Sequence, residues 1–199
     1  MLKLWLIRHG QTEGNRQHRY IGVTDEPLCP QAKELLLSLA YPQPEKVFVS
    51  PLLRCTQTAG ILFPGKKLNI IDELSECDFG DFENKNYQEL NGNPDYQAWI
   101  DSGGQLAFPG GESREAFCRR SLIGFQKAVV GCIRRNVSCG ALVIHGGTIM
   151  NIMEAYALPK KSFYSWHVKN GGGYEVELDP ALWRKGCRTL HVLSRVLEG

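Results

Sequence analysis

The stretch Leu2-Lys3-Leu4-Trp5-Leu6-Ile7-Arg8-His9-Gly10 joins a nearly continuous apolar run to two basic residues and a glycine. An apolar run of this kind is typical of a β-strand that is buried on both faces of a parallel sheet. A second run, Ala141-Leu142-Val143-Ile144, is followed by His145-Gly146-Gly147. Each predicted strand therefore delivers a histidine to its carboxyl end. Each histidine precedes a glycine, at which we expect the backbone to turn sharply.

Further strands and helices alternate along the chain. Apolar or alternating runs predict the strands, and apolar residues at helical spacing predict the helices. The other predicted strands cover residues 46–49, 174–178 and 189–196, and the predicted helices cover 31–40, a segment that starts at Pro51, 113–135 and 148–157. Strands that alternate with helices predict an α/β fold, a three-layer α/β/α sandwich around a mainly parallel central sheet.

Two of these helices carry detailed expectations. In the helix over 31–40, Leu35, Leu36 and Leu39 form the predicted buried face. In the next helix, Pro51 suits the first position, because proline lacks the N–H that would be unpaired there in any case. That helix would carry Arg54 in its first turn.

A single domain is expected over residues 1–199, because this length suits one hydrophobic core and the sequence shows no repeat, low-complexity tract or linker. The segment over about 72–111 is rich in glycine and proline and is the least regular part of the chain. We expect it to cap the substrate side of the sheet.

Four basic side chains are predicted to meet at one edge of this sheet. In open α/β sheets, ligands bind beyond the carboxyl ends of the strands. The strand over 46–49 leads to Arg54, so the cleft would hold Arg8, His9, Arg54 and His145. Guanidinium groups pair well with phosphate oxygens, and a neutral imidazole can attack phosphorus to form phosphohistidine. The arginines would stabilise the transition state without a metal, so no metal or other cofactor is expected.

Composition restricts the partners and the compartment. The net charge of +2 at pH 7 does not favour a nucleic acid or an anionic membrane as partner. The seven cysteines lack metal-binding spacing and predict free thiols in a reducing compartment. With neither a recognisable leader nor an apolar run of membrane-spanning length, we expect a cytoplasmic protein.

Five motifs then stand in order along the chain. They are Leu6-Ile7-Arg8-His9-Gly10-Gln11-Thr12-Glu13-Gly14-Asn15, Val49-Ser50-Pro51-Leu52-Leu53-Arg54, Leu74-Ser75-Glu76-Cys77-Asp78-Phe79-Gly80, Phe108-Pro109-Gly110-Gly111-Glu112-Ser113 and Val143-Ile144-His145-Gly146-Gly147. Together they closely resemble the motifs of the histidine phosphatase superfamily, in its phosphoglycerate-mutase-like branch. The resemblance covers most of the chain.

The resemblance implies a role for each matching residue. His9 would be the phosphorylated nucleophile, and Glu76 would be the acid that protonates the leaving alkoxide and then the base that activates water. Gly22 and Phe82 would lie on the substrate side. The phosphoryl oxygens would be bound by Arg8, Asn15, Arg54 and His145. Burial would raise the pKa of Glu76 whereas the arginines would lower it, and the sequence leaves that balance open.

The resemblance also implies a phosphatase that acts on a small-molecule phosphate ester, as a monomer or homodimer. Only 68 residues separate Glu76 from His145, which is more similar to the phosphatases than to the glycolytic mutases of the branch. The Phe-Gly-Asp-Phe-Glu stretch and the Gly-x-Thr-Asp-x-Pro-Leu run resemble the alpha-ribazole phosphatases of cobalamin synthesis. Other phosphomonoesterases and fructose-bisphosphate phosphatases share most of these features. A phosphoglycerate mutase and a non-catalytic phosphate-binding protein remain alternatives.

Aromatic residues are concentrated in the irregular segment. They could line a wall for a flat substrate group, or they could pack the segment onto the sheet. The residues concerned are Phe82, Tyr87, Tyr96, Trp99 and Phe108.

Overall fold

A mixed sheet of seven strands forms the centre of the computed structural model, which describes residues 1–196. In chain order the strands are β1 (Leu2–Arg8), β2 (Lys46–Val49), β3 (Leu68–Ile70), β4 (Cys139–Ile144), β5 (Ala157–Leu158), β6 (Gly173–Leu178) and β7 (Leu190–Val196). Their order across the sheet is β3-β2-β4-β1-β6-β7-β5. Strand β6 runs antiparallel to both of its neighbours, and the other four pairings are parallel. The sheet is therefore mainly parallel, as predicted.

Helices cover both faces of the sheet. Within the described residues the α-helices are α1 (Glu13–Arg16), α2 (Pro30–Ser38), α3 (Leu53–Leu62), α4 (Pro94–Asp101), α5 (Arg114–Ile133), α6 (Gly146–Tyr156) and α7 (Pro180–Arg184). Helices α5 and α6 share a core with Leu4 and Leu6 of β1, whereas α2 and α3 share a core with Trp5 and Ile7. Successive side chains of a strand point to opposite faces, so β1 supplies both layers. The predicted three-layer sandwich is confirmed.

The segment between β3 and α5 is irregular, as predicted. It contains short 3-10 helices at Asp72–Leu74 and Gly80–Phe82, followed by α4. A small core of its own forms against α5 and includes Phe82, Phe108 and Phe117. None of the helices within residues 1–196 combines the length and apolarity that crossing a bilayer requires.

The predicted buried face of α2 is confirmed at Leu36 and wrong at Leu35. Ala32 and Leu36 are buried, whereas Leu35 is 43% exposed and Leu39 lies just past the last helical residue. Ala32 and Leu36 are one helical turn apart and both face Gly10, which leaves room for them against β1. The backbone contact at Gly10, rather than the count of leucines, sets the rotation of this helix.

The predicted start of α3 is also wrong. The helix begins at Leu53 rather than at Pro51, and Leu52 is its N-cap residue. The Asp25 carboxylate accepts the N–H of Leu53 at 2.6 Å. An acidic side chain from a distant loop therefore caps the first turn and favours it through the helix dipole.

Candidate active site

The two predicted histidines lie side by side at the carboxyl end of the sheet. Strands β1 and β4 are adjacent and parallel, and Arg8 pairs with Ile144, so the next residue of each strand is a histidine at the same level. The ring centroids of His9 and His145 are 5.2 Å apart, at an interplanar angle of 65°. His145 is fully buried and His9 is 4% exposed. The structure thus brings together the two imidazoles that the sequence places at strand ends.

The glycines after these histidines do not make the sharp turns that the sequence suggested. Neither Gly10 nor Gly146 adopts the left-handed backbone conformation. They are needed for space instead: a Cβ on Gly146 would lie 3.3 Å from Nε of Arg8, and a Cβ on Gly10 would lie 2.8 Å from the Leu36 side chain. Helix α6 begins at Gly146, with His145 as its N-cap residue.

His9 is held in one tautomer. Its Nδ1 lies 2.6 Å from the Gly10 carbonyl oxygen. A carbonyl accepts but never donates, so Nδ1 carries the proton and Nε2 keeps a free lone pair. Burial lowers the pKa of His9 well below its ordinary value of 6.5, and the charges of Arg54 and Arg8 lower it further. His9 is therefore neutral at physiological pH and has the form of a nucleophile.

His145 is fixed from β2 and α3. Its Nε2 lies 2.7 Å from the Ser50 hydroxyl, and the Cys55 thiol lies 3.6 Å from the same nitrogen. Burial lowers the pKa of His145 well below 6.5, with Arg54 as the next cause. The buried Cys55 thiol packs against the ring as a small apolar group, because burial raises its pKa and keeps it protonated.

The two arginines are oriented by backbone carbonyls and keep unused donors. Arg54 is fully buried, and it donates to the carbonyl oxygens of Thr24 at 2.8 Å and Gly22 at 2.7 Å. Arg8 donates to the carbonyl oxygen of Val168 at 2.7 Å. Among the described residues, Nε of Arg8 and Nε of Arg54 are buried without a partner. Buried donors are rarely left unpaired, so this cleft is built for an anion.

Gly22 contributes to the site through Arg54. Its carbonyl oxygen accepts from Arg54, and its N–H donates to the Glu83 carboxylate at 3.0 Å. A Cβ at this position would collide with the Cys77 carbonyl. The resemblance implies that Gly22 lies on the substrate side. In the structure, its backbone contacts the guanidinium group of Arg54.

Asn15 closes one side of the cleft. Its Oδ1 accepts from the N–H of Thr12 at 3.3 Å and from Nδ2 of Asn170 at 3.1 Å. Asn170 also donates to the His9 carbonyl oxygen at 3.1 Å. Because the Asn15 oxygen is occupied, its amide NH₂ remains as a donor.

Glu76 projects from the irregular segment to the amino end of α6. Its carboxylate accepts from the N–H of Cys77 at 3.1 Å and from the N–H of Gly147 at 3.3 Å. Burial raises the pKa of Glu76, and this effect outweighs the opposing effects of the hydrogen bonds, Arg54 and Arg8. Burial therefore decides the balance that the sequence left open.

Three supporting residues were not predicted from the sequence. Thr58 accepts the Gly10 N–H at 2.9 Å and donates to the Arg54 carbonyl oxygen at 2.6 Å. Ser50 contacts His145, and Arg120 of α5 holds the loop that carries Glu76. Ser50 ends a predicted strand and could have been found on that ground. No local pattern predicts the role of Arg120, because its partners in that loop are more than 40 residues away in the chain.

A cavity of about 350 Å³ opens beside Glu76 and Gly147. Half of its lining residues are aromatic, namely Tyr20, Phe79, Trp99, Phe108, Phe117, Phe163 and Tyr164, and the others include Arg114, Cys118 and Met150. Phe82 is fully buried behind this wall, in edge contact with Tyr96, Trp99 and Phe108. Tyr87 is 60% exposed and is not part of the wall. Of the five aromatic residues predicted from the sequence, Trp99 and Phe108 line the cavity.

Comparison with known proteins identifies the family. The profile of the histidine phosphatase superfamily (branch 1) matches residues 4–187. An adenosylcobalamin/alpha-ribazole phosphatase of Salmonella typhimurium is 30% identical over 203 residues, covering 97% of this chain and 96% of the relative.

Two solved structures share the fold. The alpha-ribazole phosphatase of Shigella flexneri has a TM-score of 0.82 at 24% identity, covering 99% of this chain and 96% of its own. A phosphoglycerate mutase of Thermus thermophilus has a TM-score of 0.73 at 28% identity, with both chains fully covered. The family predicted from the five motifs is confirmed: the chain belongs to branch 1 of the histidine phosphatase superfamily.

Proposed function

We propose that this protein is a phosphatase, which hydrolyses a small-molecule phosphomonoester through a phosphohistidine formed on Nε2 of His9. The observation that supports this most directly is the 2.6 Å contact between His9 Nδ1 and the Gly10 carbonyl oxygen. It leaves the Nε2 lone pair free in a cleft where two buried guanidinium nitrogens lack a partner within the described residues. A phosphoryl group supplies both an electrophile for Nε2 and acceptors for the guanidinium groups.

In the first step, Nε2 of His9 attacks phosphorus and the bond from phosphorus to the alcohol oxygen breaks. The carboxyl proton of Glu76 passes to the departing alkoxide. Burial raises the pKa of Glu76 and so keeps a proton available for this transfer. The product alcohol leaves neutral, and Glu76 is left as a carboxylate.

In the second step, the Glu76 carboxylate takes a proton from a water molecule, which attacks the phosphohistidine. The P–N bond breaks, inorganic phosphate leaves, and the lone pair returns to Nε2 of His9. The starting protonation states of both residues are restored.

Arg8, Asn15, Arg54 and His145 bind the phosphoryl oxygens in this proposal. Charge that develops on those oxygens in the transition state meets donors that are already oriented by Val168, Gly22, Thr24 and Ser50. Preorganised donors in a site with little water are the usual main source of rate enhancement in phosphoryl transfer.

The substrate that we propose is alpha-ribazole 5′-phosphate. The relative from Salmonella typhimurium is an adenosylcobalamin/alpha-ribazole phosphatase. Glu76 lies between the phosphoryl cleft and the aromatic cavity, so an alcohol that receives its proton would extend into that cavity. Its aromatic lining suits a flat base. The segment 72–111 would act as the cap over this group, within a single domain.

The first experiment compares hydrolysis of p-nitrophenyl phosphate by the wild type, His9→Ala and His191→Ala, all in EDTA. His191 is an exposed histidine on β7 and serves as the matched control. We expect His9→Ala to lose activity by roughly 10⁴-fold or more and His191→Ala to retain it. Equal activity in the His9→Ala variant would remove His9 as the nucleophile.

Product analysis separates the alternatives that the sequence left open. Net release of inorganic phosphate supports hydrolysis, whereas transfer of the phosphoryl group between hydroxyls of phosphoglycerate without net release would indicate a mutase. Phosphate binding without turnover would indicate a binding protein.

We further propose that the protein works in the reducing cytoplasm as a monomer or homodimer. All seven cysteines are free thiols, which is consistent with a reducing compartment. The residues of the cleft all come from one chain, so one protomer suffices for the chemistry.

A further inference from the structure

The aromatic cavity is lined by the cap (residues 72–111) and also by two other parts of the chain. Arg114 is the first residue of α5, and Phe163 and Tyr164 belong to the 3-10 helix Phe163–Trp166. Gly104 of the cap lies close to Tyr164, since a Cβ on Gly104 would lie 3.7 Å from Oη of Tyr164. The cavity is therefore lined both by the cap and by a segment more than 50 residues further along the chain.

Arg114 and Phe163 hold each other in a fixed arrangement. The guanidinium carbon of Arg114 lies 5.2 Å from the centroid of the Phe163 ring, which is a cation–π distance. Glu154 of α6 supports both residues: its Oε1 accepts the N–H of Phe163 at 2.9 Å, and its Oε2 lies 3.9 Å from Nη2 of Arg114. The second contact is too long for a hydrogen bond. Glu154 therefore attracts the guanidinium group of Arg114 without using its N–H donors.

We propose that Arg114 and Phe163 form the specificity-determining wall that holds a flat aromatic group on the alcohol side of the substrate. This inference rests on the proposed hydrolysis at His9. The planar guanidinium stacks on aromatic faces, and within the described lining Arg114 is the one cationic residue. An electron-rich ring bound there would gain aromatic contacts from Phe163 and a cation–π contact from Arg114.

A second anionic group on the substrate fits this wall less well. The charge of Arg114 is partly balanced by Glu154, and the neighbouring lining is aromatic. An anion placed there would lose its hydration against the aromatic lining and would have to share Arg114 with Glu154. The wall therefore selects a neutral, flat, electron-rich ring.

The test uses two substrates whose leaving groups belong to the same chemical class. Alpha-ribazole 5′-phosphate and ribose 5-phosphate both release a primary alkoxide, and only the first carries an aromatic base. We expect the wild type to favour the first by at least about tenfold in kcat/KM. Arg114→Ala and Phe163→Leu should reduce this ratio roughly three- to thirtyfold, with ribose 5-phosphate hydrolysis unchanged as a report of intact folding and chemistry.

Arg119→Ala is the matched control, because Arg119 lies on the same helix and its side chain is 68% exposed. It should leave the ratio at the wild-type value. An unchanged ratio in Arg114→Ala, or equal losses on both substrates, overturns the proposed wall. So does a larger loss on 3-phosphoglycerate than on alpha-ribazole 5′-phosphate, since that result assigns Arg114 to an anion.

A binding measurement separates this inference from the proposed chemistry. Calorimetry of alpha-ribazole 5′-phosphate with His9→Ala, alone and combined with Arg114→Ala, reports recognition without turnover. Weaker binding in the double variant supports the wall even if the wild type fails to hydrolyse the compound. Equal binding in the two variants refutes the wall whatever the hydrolysis result.

Discussion

Arg120 joins helix α5 to the loop that carries Glu76, and its removal gives the sharpest test of how this site is held. All five N–H groups of its guanidinium are used. Two bonds, of 3.0 and 2.7 Å, go to the Glu112 carboxylate. Three bonds, of 2.9 to 3.1 Å, go to the carbonyl oxygens of Glu73, Ser75 and Glu76. The change Arg120→Ala would leave all these acceptors without their partner.

The expected cost follows from burial. The side chains of Arg120 and Glu112 are 27% and 16% exposed, so water replaces only part of what is lost. Removing one partner of a fully buried pair costs about 3–5 kcal/mol. Allowing for the partial exposure, we expect a loss of roughly 3 kcal/mol in the free energy of unfolding. For a chain of this length, that corresponds to a fall in Tm of about 6–12 °C.

Urea unfolding followed by tryptophan fluorescence measures this change. The neighbouring Arg119→Ala is the control: its pair with Glu115 is 68% and 87% exposed and should contribute below about 0.5 kcal/mol. Arg120→Lys keeps the charge but not the planar fork, so its loss should be intermediate. An Arg120→Ala protein within about 0.5 kcal/mol of the control would show that the five bonds do not hold the loop.

A catalytic measurement on the same variants shows whether the loop positions Glu76. If Arg120→Ala displaces the carboxyl group, hydrolysis of alkyl phosphates should fall more than hydrolysis of aryl phosphates, because a phenolate leaves with less protonation. Equal losses on both substrates would indicate a purely structural role for Arg120.

Three further perturbations test the cleft itself. Glu76→Gln should slow alkyl phosphates at least about tenfold more than aryl phosphates, and equal slowing in steady-state assays would remove Glu76 as the acid. Gly22→Ala places a Cβ against a backbone carbonyl and shifts the carbonyl that orients Arg54, so the inhibition constant of inorganic phosphate should rise; an unchanged constant contradicts this. Stability should depend on pH because burial keeps His9 and His145 neutral, with pKa values well below 6.5. Below pH 6.5 the unfolded chain binds protons that the folded chain does not. Each histidine should therefore lower the free energy of unfolding by about 1.4 kcal/mol for each unit that the pH falls. Glu76 acts in the opposite sense: its raised pKa favours folding while it is protonated, and that contribution is lost as the pH rises. Urea unfolding at several pH values should show that the free energy of unfolding depends less on pH in His145→Gln than in the wild type.

The sequence was sufficient for five of the seven strands and for the two histidines; the short strands β3 and β5 were not predicted. The apolar runs before His9 and His145 predict buried strands, because a short run that is apolar throughout is typical of a strand covered on both faces. Parallel neighbours then bring their ends together, which the 5.2 Å ring separation reflects. Glu76 was different: it stands in an acidic, irregular segment, and only the resemblance to a family singled it out.

Tertiary structure alone decided the features that depend on contacts between distant segments. Burial beneath the cap raises the pKa of Glu76 more than Arg8 and Arg54 lower it. No local sequence pattern predicts the balance of these effects. The cavity wall joins Arg114 to Phe163, which is 49 positions later in the chain. Local periodicity reports the face that a segment buries, whereas electrostatic balance and cavity shape depend on which faces finally meet. The sequence by itself therefore determined the two central strands and the position of their histidines, and the folded chain determined the raised pKa of Glu76 and the shape of the cavity beside it.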